Sequence, residues 1–134
     1  MRKYLIVTHG SFAGGILSSF ELIAGKTDNV FIIEAYTDGN KSIDDKVEEI
    51  TGMLNDEDEL IVFTDLVGGS VTNQIIKKAL QKNVYIISGI NLPLILEIIL
   101  ADAGDPVEEI IERGIASARE QIIFVNNLIK PAND

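Results

Sequence analysis

The 134-residue sequence has no cysteine, no tryptophan, three prolines and a single histidine. Without cysteine there are no disulfides, thiolate metal sites, iron–sulfur clusters or cysteine nucleophiles. Positive charge is also scarce: 11 Lys and Arg stand against 21 Asp and Glu, a net charge of −10 at pH 7, and no basic run occurs. A surface that binds by neutralising phosphates is disfavoured, so nucleic acid is a poor partner. Long apolar runs are missing too. The stretch Tyr4-Leu5-Ile6-Val7 ends at His9, too early for the apolar region of a signal peptide. The stretch from Leu92 to Ala101 is broken by Pro93 and Glu97, short of the roughly 20 apolar residues that span a bilayer. These absences lead to the expectation of a soluble cytoplasmic protein.

What is present is a hydrophobic fraction of 46% with 24% charged residues, the balance of one globular domain over residues 1–134. No repeat, low-complexity tract or linker precedes the polar end Lys130-Pro131-Ala132-Asn133-Asp134. Short runs of β-branched and aromatic residues at Tyr4–Val7, Val30–Ala35, Leu60–Phe63 and Val84–Ile87 have the continuous apolar character of strands buried on both faces.

Helical spacing fills the gaps between these runs. Phe12, Ile16, Phe20 and Ile23 mark a first helix. A second opens at Ser42, with Asp45 in capping-box spacing, and buries Val47, Ile50 and Leu54. A third runs from about Ser70 to Gln81 with Val71, Ile75, Ile76 and Leu80 inward; a fourth starts near Pro93 and a fifth near Pro106. In the fifth, Ile110, Ile111, Ile115 and Ala118 keep helical spacing, while Gln121–Val125 is dense in β-formers and reads as helix or edge strand. Alternation of strand and helix predicts an α/β, doubly wound open sheet of four parallel strands in the common order 2-1-3-4, flanked by helices.

In such sheets ligands bind beyond the carboxyl ends of the strands, where the strand order reverses. Three loops on that rim are Thr8-His9-Gly10-Ser11, Thr64 to Ser70, and Ser88-Gly89-Ile90-Asn91-Leu92-Pro93. A lone histidine is more often structural than functional, but in this order Asp65 ends the strand beside His9. A carboxylate on one ring nitrogen fixes the tautomer and leaves the other nitrogen as a neutral nucleophile. Gly68-Gly69-Ser70 then offers backbone N–H groups and a hydroxyl to an oxyanion at a helix start, though the same residues are ordinary helix punctuation. The three loops carry no Lys or Arg clamp and no metal-ligand cluster. Together they have the equipment of a phosphoryl relay that needs no cofactor.

These motifs, Thr8-His9-Gly10, Asp65 through Asn73, and Gly89-Ile90-Asn91-Leu92-Pro93 followed by Glu97, resemble the IIA component of the mannose-type sugar phosphotransferase system over nearly the whole chain. The resemblance implies a phosphoryl carrier loaded at His9, on Nε2, by the phosphocarrier protein HPr and unloaded onto a IIB component. Membrane subunits IIC and IID then use the group on the incoming sugar. It implies that Asp65 partners Nδ1, that Ser70 with Gly68 and Gly69 holds phosphoryl oxygens, and that Thr8 and Asn91 line the rim. It further implies a homodimer in which a C-terminal antiparallel edge strand, here Gln121–Val125, is exchanged between subunits. Some members carry an aromatic where Val67 stands and a proline where Val71 stands; others continue into a IIB domain, whereas here the IIB component is expected on a separate chain.

Other readings have less support. A histidine phosphatase or mutase also places His-Gly after a first strand, but it has Arg before the histidine and needs a second one. A receiver domain with Asp65 as phosphoacceptor needs an acidic cluster after the first strand to hold Mg²⁺. Gly25-Lys26-Thr27 lacks the upstream glycine of a P-loop, with Phe20 in its place. The acids Asp56 to Glu59 lack calcium-loop spacing and read as a solvated turn. A regulatory module reporting transport state through its phosphohistidine stays open.

Overall fold

The computed structural model describes residues 1–37 and 42–129. The chain forms two compact units, residues 1–92 and 93–134.

The first unit is built on β1 (Arg2–His9), β2 (Val30–Ala35), β3 (Glu59–Thr64) and β4 (Val84–Ser88), all parallel, in the order β2-β1-β3-β4. Register places Val7 opposite Thr64 and His9 opposite Ala35. Side chains alternate across each strand, and both sets in β1 and β3 are buried: Leu5, Val7, Leu60 and Val62 on one face, Tyr4, Ile6, Ile61 and Phe63 on the other. This is why the strands read as unbroken apolar runs.

The first face receives α2 (Ile43–Thr51) through Ile43, Val47 and Ile50, and α3 (Ser70–Ile75) through Val71 and Ile75. Ser42 caps α2 by accepting the Asp45 N–H at 3.1 Å, as the capping spacing predicts. The opposite face carries α1 (Phe12–Ala24), which packs on β1 and β2 with Ala13, Ile16 and Phe20 buried. Helices on both faces of a parallel sheet make the unit doubly wound.

Two expected stripes are corrected. In α1, Phe12 and Ile23 are exposed, because the inward face runs through Ala13 instead. Beyond Ile75 the backbone tightens into a 3-10 helix over Ile76–Leu80. With three residues per turn the inward stripe is lost, and Ile76 and Leu80 face solvent.

The acidic turn is not wholly solvated either. Asp58 is buried, and its carboxylate accepts the Asn55 N–H at 3.0 Å, the N-terminal ammonium at 3.0 Å and the Lys3 ammonium at 3.3 Å. The Asn55 bond, followed by the N-terminal ammonium, lowers its pKa from 3.8 to about 2. A depressed carboxyl pKa adds stability that is complete above the unfolded value and disappears as pH falls through the folded one. Asp58→Asn should therefore melt at a lower temperature than the wild type at pH 7. The difference should shrink between about pH 4 and 2, where the wild type loses the same charge; a difference independent of pH in paired thermal scans would refute this.

In the second unit, α4 (Leu92–Ile99) buries Leu94, Ile95 and Ile98, and α5 (Val107–Glu120) buries Val107, Ile110, Gly114 and Ala118. A Cβ on Gly114 would stand 2.7 Å from Ile98 Cγ1, so the two helices approach through the missing side chain. Gly114→Ala should destabilise by about 1 kcal/mol net. Overpacking of roughly 1–3 kcal/mol outweighs the gain of about 1 kcal/mol in helix propensity; urea denaturation checks the sign.

Gln121–Val125 forms no strand within its own chain. Gln121 caps α5, and Val125–Leu128 is a 3-10 turn. Ile122, Ile123, Phe124 and Val125 are all exposed. No helix among the described residues is long and apolar enough to cross a membrane.

Candidate active site

The strand order reverses at β1: β2 lies on one side of it and β3 on the other. His9 is the last residue of β1, and Asp65 follows the last residue of β3. The parallel register thus brings an imidazole and a carboxylate from residues 56 apart to hydrogen-bonding distance. Gly10, at φ +57, turns the chain away immediately after His9, a conformation that costs a side-chain-bearing residue energy. Its N–H bonds the Ala35 carbonyl at 2.9 Å.

One carboxylate oxygen organises His9. Asp65 Oδ2 accepts both the His9 backbone N–H and the ring Nδ1–H, each at 2.9 Å. Burial pushes the Asp65 carboxyl up, but the two hydrogen bonds from His9 outweigh it and hold the group below its ordinary value. The carboxylate is therefore ionised at neutral pH and accepts the Nδ1–H, and in the neutral imidazole this tautomer puts the lone pair on Nε2. The His9 side chain is 38% exposed and that of Asp65 12%, so the imidazole reaches solvent while its partner is covered.

Ser70 faces the other ring nitrogen, with Oγ 3.3 Å from Nε2. The turn before α3 puts it there. Gly68 adopts φ +73, and a Cβ on Gly69 would lie 3.1 Å from Leu66 Cβ and 3.6 Å from His9 Cε1, so backbone passes close to the imidazole. Thr72 ties this turn down: its hydroxyl lies 2.6 Å from the Leu66 carbonyl, to which it donates, and 2.8 Å from the Thr64 hydroxyl. The α-helical part of α3 has only six residues, which leaves polar holding to Ser70 and the local N–H groups rather than to a long helix dipole.

The structure thus brings together His9, Asp65, Gly69 and Ser70, with Gly68 shaping the turn. Thr8 is placed elsewhere: it is fully buried, and its hydroxyl accepts the Ala13 N–H at 2.7 Å to start α1. Asn91 lies on the loop after β4, on the same rim.

Tyr36 is a residue that the sequence reading passed over. It follows β2, its ring centroid is 5.7 Å from that of His9, and its hydroxyl lies 2.8 Å from Ser70 Oγ while accepting from Gln74 Nε2 at 3.1 Å. Its backbone is left-handed, φ 66, which for a bulky residue costs about 1–3 kcal/mol. The available signal was position, since the rim rule applies to the end of β2 as it does to β1, β3 and β4.

Comparison with known proteins follows the same lines. Residues 3–115 match the family described as the PTS system fructose IIA component. Among solved structures, a proposed phosphoenolpyruvate-dependent sugar phosphotransferase system permease from Klebsiella pneumoniae is 36% identical. It superposes with a TM-score of 0.90 over 96% of this chain and 94% of that one. The EIIA component from Streptococcus agalactiae is 32% identical, with a TM-score of 0.77 over 95% and 99% of the two chains. A PTS IIA protein associated with the fucose utilization operon of Streptococcus pneumoniae is 28% identical, with a TM-score of 0.74 over 96% of each.

Proposed function

The chain belongs to the fructose IIA component family of the sugar phosphotransferase system and has a phosphoryl-carrier role in that system, and from this premise we propose that His9 is the residue that carries the group. The observation that supports this most strongly is the shared Asp65 oxygen, which holds the proton on Nδ1 and leaves Nε2 as the open nucleophile.

In the transfer, the Nε2 lone pair attacks the phosphorus of a donor phosphohistidine. The N–P bond to the donor breaks, its electron pair returns to the donor imidazole, and a new N–P bond forms on His9. The Nδ1 proton stays where it is, and the Asp65 carboxylate balances the positive charge that builds on the ring. Ser70, 3.3 Å from Nε2, turns its hydroxyl to a phosphoryl oxygen, with the Gly68-Gly69 backbone beside it. The return step onto an acceptor reverses each movement.

HPr is the proposed donor and a IIB component the acceptor, from which the group passes to the incoming sugar at membrane IIC and IID subunits. Residues 1–134 act as one cytoplasmic IIA domain in this reading. A homodimer in which Gln121–Val125 joins the partner's sheet would cover the exposed Ile122, Ile123, Phe124 and Val125.

Incubation with phosphoenolpyruvate, Enzyme I and HPr, followed by intact mass and mapping of acid-labile phosphate, tests the assignment. One phosphate on His9 that returns to HPr is the expected result. A folded protein that takes up none from active phospho-HPr would overturn it.

A further inference from the structure

The hydrogen bonds around Nε2 continue past Ser70, and their direction is set from both ends. At one end, the Nδ1 proton is held by Asp65, so in the neutral imidazole that acts as nucleophile Nε2 accepts, and Ser70 aims its single hydroxyl proton at it. With that proton used, Ser70 Oγ can only accept from the Tyr36 hydroxyl 2.8 Å away. At the other end, the Gln74 amide nitrogen can only donate, and it does so to the Tyr36 oxygen at 3.1 Å. The chain therefore runs from Gln74 to Tyr36 to Ser70 to His9, every donor matched to an acceptor.

A second observation agrees. Tyr36 keeps a left-handed backbone that large side chains rarely adopt, and its ring lies against the imidazole at an interplanar angle of 41°. Strain of this kind persists where surrounding contacts impose it, and here they are with Ser70, Gln74 and His9.

We propose that Tyr36, aimed by Gln74, is a positioning residue for phosphoryl transfer: its hydroxyl holds Ser70 as the donor to Nε2 at rest and to the phosphoryl oxygen once the group arrives. This rests on the reading of His9 as the carrier residue. Donation from Tyr36 polarises the Ser70 hydroxyl and strengthens the bond that Ser70 makes.

The test compares Tyr36→Phe, Ser70→Ala and the double variant in single-turnover acceptance from phospho-HPr. Nitrogen NMR of the unphosphorylated imidazole is recorded alongside. Tyr36→Phe, which keeps the ring, should slow acceptance about 3-fold to 10-fold, the effect of one hydrogen bond. The double variant should be no slower than Ser70→Ala, because both act through one chain. The Nε2 resonance should move in both single variants while Nδ1 stays in place, a pattern that a general loss of structure does not give. If Tyr36→Phe does not fold, Gln74→Met reads the same chain one link further out and should shift Nε2 in the same sense.

A wild-type rate with an unmoved Nε2 resonance, or additive losses in the double variant, would overturn the proposal. Should the wild type accept no phosphoryl group, the carrier reading falls separately. The Nε2 resonance, recorded without any phosphodonor, still decides whether Tyr36 sets Ser70.

Discussion

His9→Ala is expected to accept no phosphoryl group from phospho-HPr while melting within about 8 °C of the wild type. The first half follows from chemistry, because this is the only histidine of the chain and the side chains bonded to it, Asp65 and Ser70, carry only oxygen. The second follows from position. The ring stands at the end of β1, 38% exposed, outside the apolar cluster of Leu5, Val7, Ile33, Leu60 and Val62. Its removal costs the carboxylate one hydrogen bond, about 1–2 kcal/mol, and leaves the backbone N–H of residue 9 on Asp65 Oδ2. Intact mass after loading, with thermal scans of the same samples, checks both halves. Acid-labile phosphate appearing on the variant at the normal rate would remove His9 from its assigned role.

Two substitutions at Asp65 separate charge from geometry. Asparagine has an oxygen to place where Oδ2 now stands, and it will not turn its NH₂ inward, since two N–H groups of residue 9 converge on that point. Asp65→Asn thus preserves tautomer and ring orientation and loses the negative charge, and acceptance should slow by roughly 10-fold to 100-fold. Asp65→Ala loses the acceptor as well. Transfer should then drop by about 100-fold to 1,000-fold, the order seen when a single transition-state contact is deleted. Stability should fall by about 1–3 kcal/mol as the backbone N–H of His9 goes unpaired. Single-turnover rates and urea denaturation of both variants provide the comparison, and equal rates for asparagine and wild type would show that charge is not required.

The four strands and their order were legible because β1 and β3 are buried on both faces, which leaves long β-branched runs as their trace. His9 and Asp65 were legible for a topological reason: once the order β2-β1-β3-β4 is expected, the two strand ends must be neighbours. Legibility failed where local geometry departs from ideal periods. Ile76 and Leu80 keep helical spacing in sequence, but the 3-10 winding after Ile75 turns them outward. Thr8 belongs to a rim motif in sequence, yet strand alternation points it inward, where it anchors α1 through the Ala13 N–H. Tyr36 owes its place to a left-handed backbone that nothing in its residue type announces. Gln121–Val125 has strand composition and forms no strand in its own chain, where Val125 instead opens a 3-10 turn.

The single oxygen of Asp65 that grips both the main chain and the ring of His9 also governs traffic. A histidine held at two points presents Nε2 at one address and in one direction, so whichever protein delivers the group and whichever collects it must come to the same spot along the same line. With His9 as the proposed carrier, the two are expected to dock in turn. Exchange is then expected to be ping-pong, with an excess of unloaded donor competing with the acceptor for the charged carrier and slowing delivery.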